Sequence, residues 1–140
     1  MEINSLDRFV MAQEDMYLVA LGEVKNGFKR SHWMWYIFPQ IRGLGMSPMA
    51  HKYGIDGIEE ARAYLAHPVL SKRLIEICNA LLELERNNPI AIFGEIDAMK
   101  LRSSMTLFAI VSGEDSVYYK VLERYYDGKM DERTLSLVGI

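Results

Sequence analysis

Residues 97–113 read DAMKLRSSMTLFAIVSG, and this stretch decides the fold. From Met105 to Val111 only Thr106 is polar, so a helix here is apolar all round for two turns and has to be surrounded by other helices. Asp97 is expected to cap its start, and Gly113 to close its end. A helix buried on every side predicts an all-α domain built around it.

The flanking segments supply its neighbours. On the C-terminal side, residues 116–127 place Val117, Tyr118, Val121, Leu122 and Tyr125 on one face, and Gly128 separates them from a short helix that starts at Asp131 and carries Leu135 and Val138. On the N-terminal side, a helix over 68–85 buries Leu70, Leu74, Ile77, Cys78, Leu81 and Leu84, and Asn87, Asn88 and Pro89 break it. Asp56 and Glu59 have capping-box spacing for a helix reaching residue 66, after which His67 and Pro68 restart the chain.

At the start of the chain, Phe9, Val10, Gln13, Tyr17, Ala20, Leu21 and Val24 fall within about 60° of one line at ~100° per residue. That predicts a single amphipathic helix, capped by Asn4 or Ser5 and stopped by Gly27. Gln13 is the one polar residue on this stripe, so its amide is buried and needs partners. Those partners are either core elements that it ties together or a ligand that it orients.

Composition agrees. The chain has 140 residues, 50% hydrophobic and 25% charged, a balance that excludes global disorder. No strand alternation, internal repeat or low-complexity linker is present. The expectation is one all-α domain over residues 1–140, multihelical with several short helices. Cys78 is the only cysteine, which excludes an intramolecular disulfide and a Cys-based zinc site within one chain and fits a reducing compartment. MEINSLDRF is not a signal peptide and no apolar run is long enough for a membrane span, so a cytoplasmic address and no membrane partner are expected.

Charge is unevenly spread. Between Glu23 and Asp56 there is no acidic residue, while Lys25, Lys29, Arg30, Arg42 and Lys52 contribute +5, leaving −8 for the rest of a chain whose net charge is −3. Within that window, residues 29–45, KRSHWMWYIFPQIRGLG, combine cations, a histidine, large aromatics and a glycine loop between two short helices, the second of them announced by Ser47 and Pro48. This mixture suits a planar anionic ligand. Arg30 and Arg42 can fork onto phosphate or carboxylate oxygens, Trp33 and Trp35 can form walls, and the Gly43 and Gly45 amides permit close approach. The competing reading places both indoles in the core and the cations in water.

A second cluster lies in residues 97–106, DAMKLRSSMT, where Lys100, Arg102 and Ser103 offer donors beside an apolar helix face. His32 is the best-placed proton carrier and Asp97 the second, whereas His51 and His67 have weaker claims. No metal-ligand spacing, P-loop, dinucleotide fingerprint or nucleophile elbow is present, and neither a metal nor a cofactor is expected.

LDRFVMAQ at 6–13, KRSHWMWYIFPQIRGLGMSPMAHKYGI at 29–55, ARAYLAHPVL at 61–70 and MKLRSSMTLF at 99–108 closely resemble the bacterial domain of unknown function number 1810 over nearly the whole chain. The resemblance implies an all-α multihelical domain. Members are sometimes labelled calpastatin, a disordered inhibitor, which a chain of this hydrophobicity and helical patterning contradicts. A fainter similarity is to proteins proposed to process NAD and ADP-ribose derivatives.

The functional expectation is a pocket for an anionic, nucleotide-like or phosphate-bearing small molecule. Arg30, Arg42, Lys100, Arg102 and Ser103 would hold it, Trp33 and Trp35 would wall it, and Gln13 would orient it. Any reaction there would be hydrolytic, with His32 or Asp97 moving protons. The alternative is a non-enzymatic interaction module whose aromatic and methionine patch binds a protein partner or a second copy as a homodimer. Nucleic acid is disfavoured, because the acidic remainder repels a duplex.

Overall fold

Apolar residues three and four positions apart wind the chain into helices, and side-chain caps set more than half of their starts. The structure, a computed structural model, describes residues 5–140. Its elements are α1 (Asp7–Glu14), α2 (Tyr17–Lys25), α3 (Met34–Ile37), α4 (Pro48–Lys52), α5 (Ile58–Ala66), α6 (Pro68–Glu83), α7 (Pro89–Ser112), α8 (Val117–Tyr126) and α9 (Glu132–Val138). The architecture is all-α and multihelical, and among the described residues extended pairing is limited to one parallel bridge, Ile41 with Ile55. No helix among the described residues is long and apolar enough to cross a membrane.

The apolar helix is central. Leu101 and every residue from Ser103 to Ala109 are buried, because α5, α8 and α9 all pack against α7. Edge-on and tilted rings extend this core: Phe9 meets Tyr64 at 5.2 Å, Tyr64 meets Phe108 at 5.2 Å, and Phe108 meets Tyr118 at 5.7 Å between ring centroids. Cys78 is fully buried among them, and burial pushes its thiol well above the ordinary range.

Three boundaries differ from expectation. The first helix is two, because Met16 N–H turns back to the Gln13 carbonyl at 3.2 Å, which lets α1 pack on α3 while α2 packs on α6. Of its two expected caps, Asn4 lies outside the described residues, and the Ser5 hydroxyl donates to Glu60 Oε2 at 2.6 Å instead of capping α1. No capping box forms at α5, which follows Gly57 without a side-chain cap: Glu60 Oε1 accepts from Asp56 N–H at 2.9 Å, while Glu59 pairs with Arg62 at 2.7 Å. Glu60 is held there by Arg8, with Nη2 at 2.8 Å from Oε1 and Nη1 at 3.2 Å from Oε2.

The third concerns Asp97, which caps nothing. Asn88 caps α7, accepting from Ile90 and Ala91 N–H at 3.0 and 3.4 Å. The helix is then interrupted at Gly94, whose φ of 82° and ψ of 167° are not helical. Other caps follow the sequence: Ser47 on α4, His67 on α6, Ser116 on α8 and Asp131 on α9.

Candidate functional site

The interruption at Gly94 has a partner. The Ile92 carbonyl just before it accepts from Lys29 N–H at 2.8 Å, which docks residues 29–33 on α7. Glu23, on α2, fixes the rest of that segment: its carboxylate accepts from Arg30 N–H at 2.8 Å, Ser31 N–H at 2.9 Å, the Ser31 hydroxyl at 2.6 Å and the Trp33 indole N–H at 2.9 Å. Burial alone would raise the Glu23 pKa, but these donors overcome it and bring it down to about 2.

Two lysines then converge on one carboxylate. Lys29 Nζ lies 2.8 Å from Asp97 Oδ2 and 5.1 Å from the Trp33 ring centroid. Lys100 Nζ lies 3.7 Å from Asp97 Oδ1 and 5.0 Å from the Trp35 ring. The Lys29 side chain is only 8% exposed, against 24% for Lys100. Asp97 therefore neutralises Lys29 at close range, and the surplus positive charge sits on Lys100.

Lys100 faces a cleft of ≈ 270 Å³ between α7, α9 and the loop at residues 40–45. Leu44, Ile96 and Met99 form its apolar part, and Gln40, Ser103, Asp131 and Arg133 join Lys100 as polar groups. Its walls are tied down separately. The loop is pinned by Arg42 N–H on the Ile55 carbonyl at 2.8 Å and Ile55 N–H on the Gln40 carbonyl at 2.7 Å. The turn before α9 is pinned by Arg102, which donates to the Lys129 and Met130 carbonyls at 2.8 Å each. Asp131 Oδ2 accepts from Thr134 N–H at 3.0 Å and its hydroxyl at 2.6 Å, and lies 3.2 Å from the Ser103 hydroxyl.

Of the expected site residues, the fold gathers Trp33, Trp35, Asp97, Lys100 and Ser103. Trp33 is fully buried, so it supports Lys29 from below and Trp35 is the half-buried indole beside Lys100. The other five lie elsewhere. Gln13 is buried, donating to the Tyr36 carbonyl at 2.8 Å and Tyr64 hydroxyl at 3.0 Å while accepting from Arg73 at 3.3 Å. Arg30 is exposed beside Phe28. Arg42 donates to the His51 carbonyl at 3.2 Å and Asp56 at 2.9 Å, and Arg102 is the clamp just described. His32 is exposed and outside the cleft lining.

The glycines also act through packing. Gly43 needs its φ of 110°, and a Cβ on Gly45 would come within 2.7 Å of the Ala50 Cβ. Three cleft residues escape sequence reasoning. Gln40 reads only as the start of the glycine loop, Asp131 only as a helix start, and Arg133 donates to the Leu44 carbonyl, 89 residues away, at 3.3 Å.

Comparison with known proteins gives a consistent picture. The family model described as Protein of unknown function (DUF1810) matches residues 3–138. The crystal structure of the conserved hypothetical protein Rv1873 from Mycobacterium tuberculosis is similar at 44% identity, with 96% of each chain covered and a TM-score of 0.93. No curated protein matches.

Proposed function

This chain belongs to the family described as Protein of unknown function (DUF1810), and on that footing we propose that its cleft binds a small anionic molecule, a carboxylate or phosphate ester. Family membership names no reaction, so the reading rests on the cleft. The observation that carries it is the charge surplus: Lys29 and Lys100 share Asp97, and the cation left over faces a partly apolar cavity beside an indole. A cation in that setting favours an anion more strongly than one in open water. Arg133 adds a second positive group whose contact to Leu44 is long at 3.3 Å, leaving donors free for a ligand.

The proposal is for binding. Asp97 is held between two ammonium groups and His32 lies outside the cleft lining, so neither residue expected to move protons faces a bound molecule. The test is thermal unfolding with millimolar carboxylates, sugar phosphates and nucleotides. A ligand at about 100 times its Kd stabilises by roughly 2.7 kcal/mol, and Lys100→Met should remove the effect. No stabilisation by any of them would overturn the reading.

A second reading keeps the interaction module, because Ile96 and Met99 at the cleft are 73% and 67% exposed, apolar surface of the kind that marks contact sites. Concentration-dependent sedimentation abolished by Met99→Lys would favour it. A monomer at all concentrations would dismiss self-association.

A further inference from the structure

The cleft's polar groups are not all positive, and their pairing is incomplete. Asp131 Oδ2 is engaged by Thr134 and Ser103, but Oδ1 accepts no hydrogen bond from the described residues. None of the ion pairs among the described residues joins Asp131 to Arg133 or Lys100, although all three line one cavity. The Gln40 side-chain amide, which can donate and accept, also has no partner among the described residues. The cleft thus holds a cationic side and an anionic side at separations too large for them to satisfy each other.

We infer that the ligand is a compact zwitterion, the size of a free amino acid with an apolar side chain. The inference rests on the anion-binding reading above and narrows it. The acidic group of the molecule meets Lys100 and Arg133, its ammonium meets Asp131 Oδ1, and its apolar part lies on Leu44, Ile96 and Met99. The Gln40 amide bridges between the two charged ends. Size agrees: at ≈ 270 Å³ the cleft is smaller than the roughly 300–1,000 Å³ of ordinary ligand pockets, so a nucleotide would protrude. Charge discriminates further, because a molecule with an acid but no amine leaves Asp131 Oδ1 buried against it without a donor.

The experiment compares L-methionine and L-phenylalanine with their N-acetyl derivatives, inorganic phosphate and adenosine monophosphate. Binding is followed by backbone amide chemical shifts and by thermal stability. The amino acids should bind at least tenfold more tightly than the N-acetyl forms, with shifts at residues 40–45, 96–103 and 131–133. Asp131→Asn should erase that preference. Asparagine caps helices about as well as aspartate, so this variant keeps α9 in place, and Lys100→Met should weaken both series. Equal binding of free and N-acetylated forms overturns the zwitterion inference and leaves the anion reading standing. So does Lys100-dependent binding of phosphate or the nucleotide with none of the amino acids. If nothing binds, both readings fail together.

Discussion

The hydroxyl of Ser104 is fully buried in α7 and has no hydrogen-bond partner among the described residues. An orphaned polar group of this kind costs about 1–3 kcal/mol, and alanine is also the better helix former. Ser104→Ala should therefore raise the unfolding temperature by a few degrees, read by calorimetry, and a lower value would show that the hydroxyl is satisfied. Glu23 is the reverse case, with one carboxylate serving four donors. Glu23→Gln leaves some of them unmet, the buried Trp33 N–H among the candidates. It should destabilise by roughly 2 kcal/mol and alter the near-ultraviolet dichroism of the indoles. Neither role is visible in the sequence, where Ser104 looks like any polar helix residue and the donors to Glu23 come from a loop with no period. The arginines teach the same lesson. Arg42 and Arg102, expected to hold anions, bond backbone carbonyls outside the cleft lining, as Arg8, Arg86 and Arg124 also do. Arg133 donates to a carbonyl and still lines the cleft, and a sequence does not show which carbonyls are left without a helix to bond them.

At the scale of elements, periodicity and capping chemistry were the readable signals. The apolar run 105–111 gave the central helix, and Ser47, His67, Ser116 and Asp131 marked four helix starts, because each acts on amide groups two or three residues away. The break between α1 and α2 was not readable. It contains neither glycine nor proline and arises from the two partners on which the halves pack. The interruption at Gly94 was equally hidden. Its φ and ψ belong to a region that only glycine enters cheaply, while a Cβ there would meet no atom within 4 Å. Gly94→Ala should consequently cost about 1–3 kcal/mol through the backbone alone, measured by urea unfolding. A neutral result would mean that α7 runs straight through this point without loss, even though straightening would displace the carbonyl that receives Lys29.

The whole molecule carries a defined stability window in pH. Glu23 and Glu60 both lie near 2, against about 4.5 for a free glutamate. For Glu60 burial opposes the shift, and Arg8, Ser5 and the Asp56 amide outweigh it. Below their unfolded values the unfolded chain takes up protons that the folded one refuses, so stability is full above about pH 4.5 and drains away toward pH 2. At the other end, burial first and foremost pushes Tyr17, Tyr64, Tyr118 and Tyr126 well above the phenol range. The unfolded chain then loses protons first, and stability falls as pH climbs past about 10. Urea unfolding across pH should trace this plateau. Glu23→Gln should flatten its acidic shoulder, and absorbance at alkaline pH should show these phenols ionising only as the protein opens.

The cleft is also a property of the entire chain, since its walls come from residues 40–45, 96–103 and 131–133. One wall is the start of α9, fastened to α7 by Arg102 and by Asp131 N–H on the Thr106 hydroxyl at 2.9 Å. Fraying of α9 and dismantling of the cavity are in consequence one event, so a molecule lodged there would guard α9. Hydrogen exchange at the amides of α9 should slow in its presence.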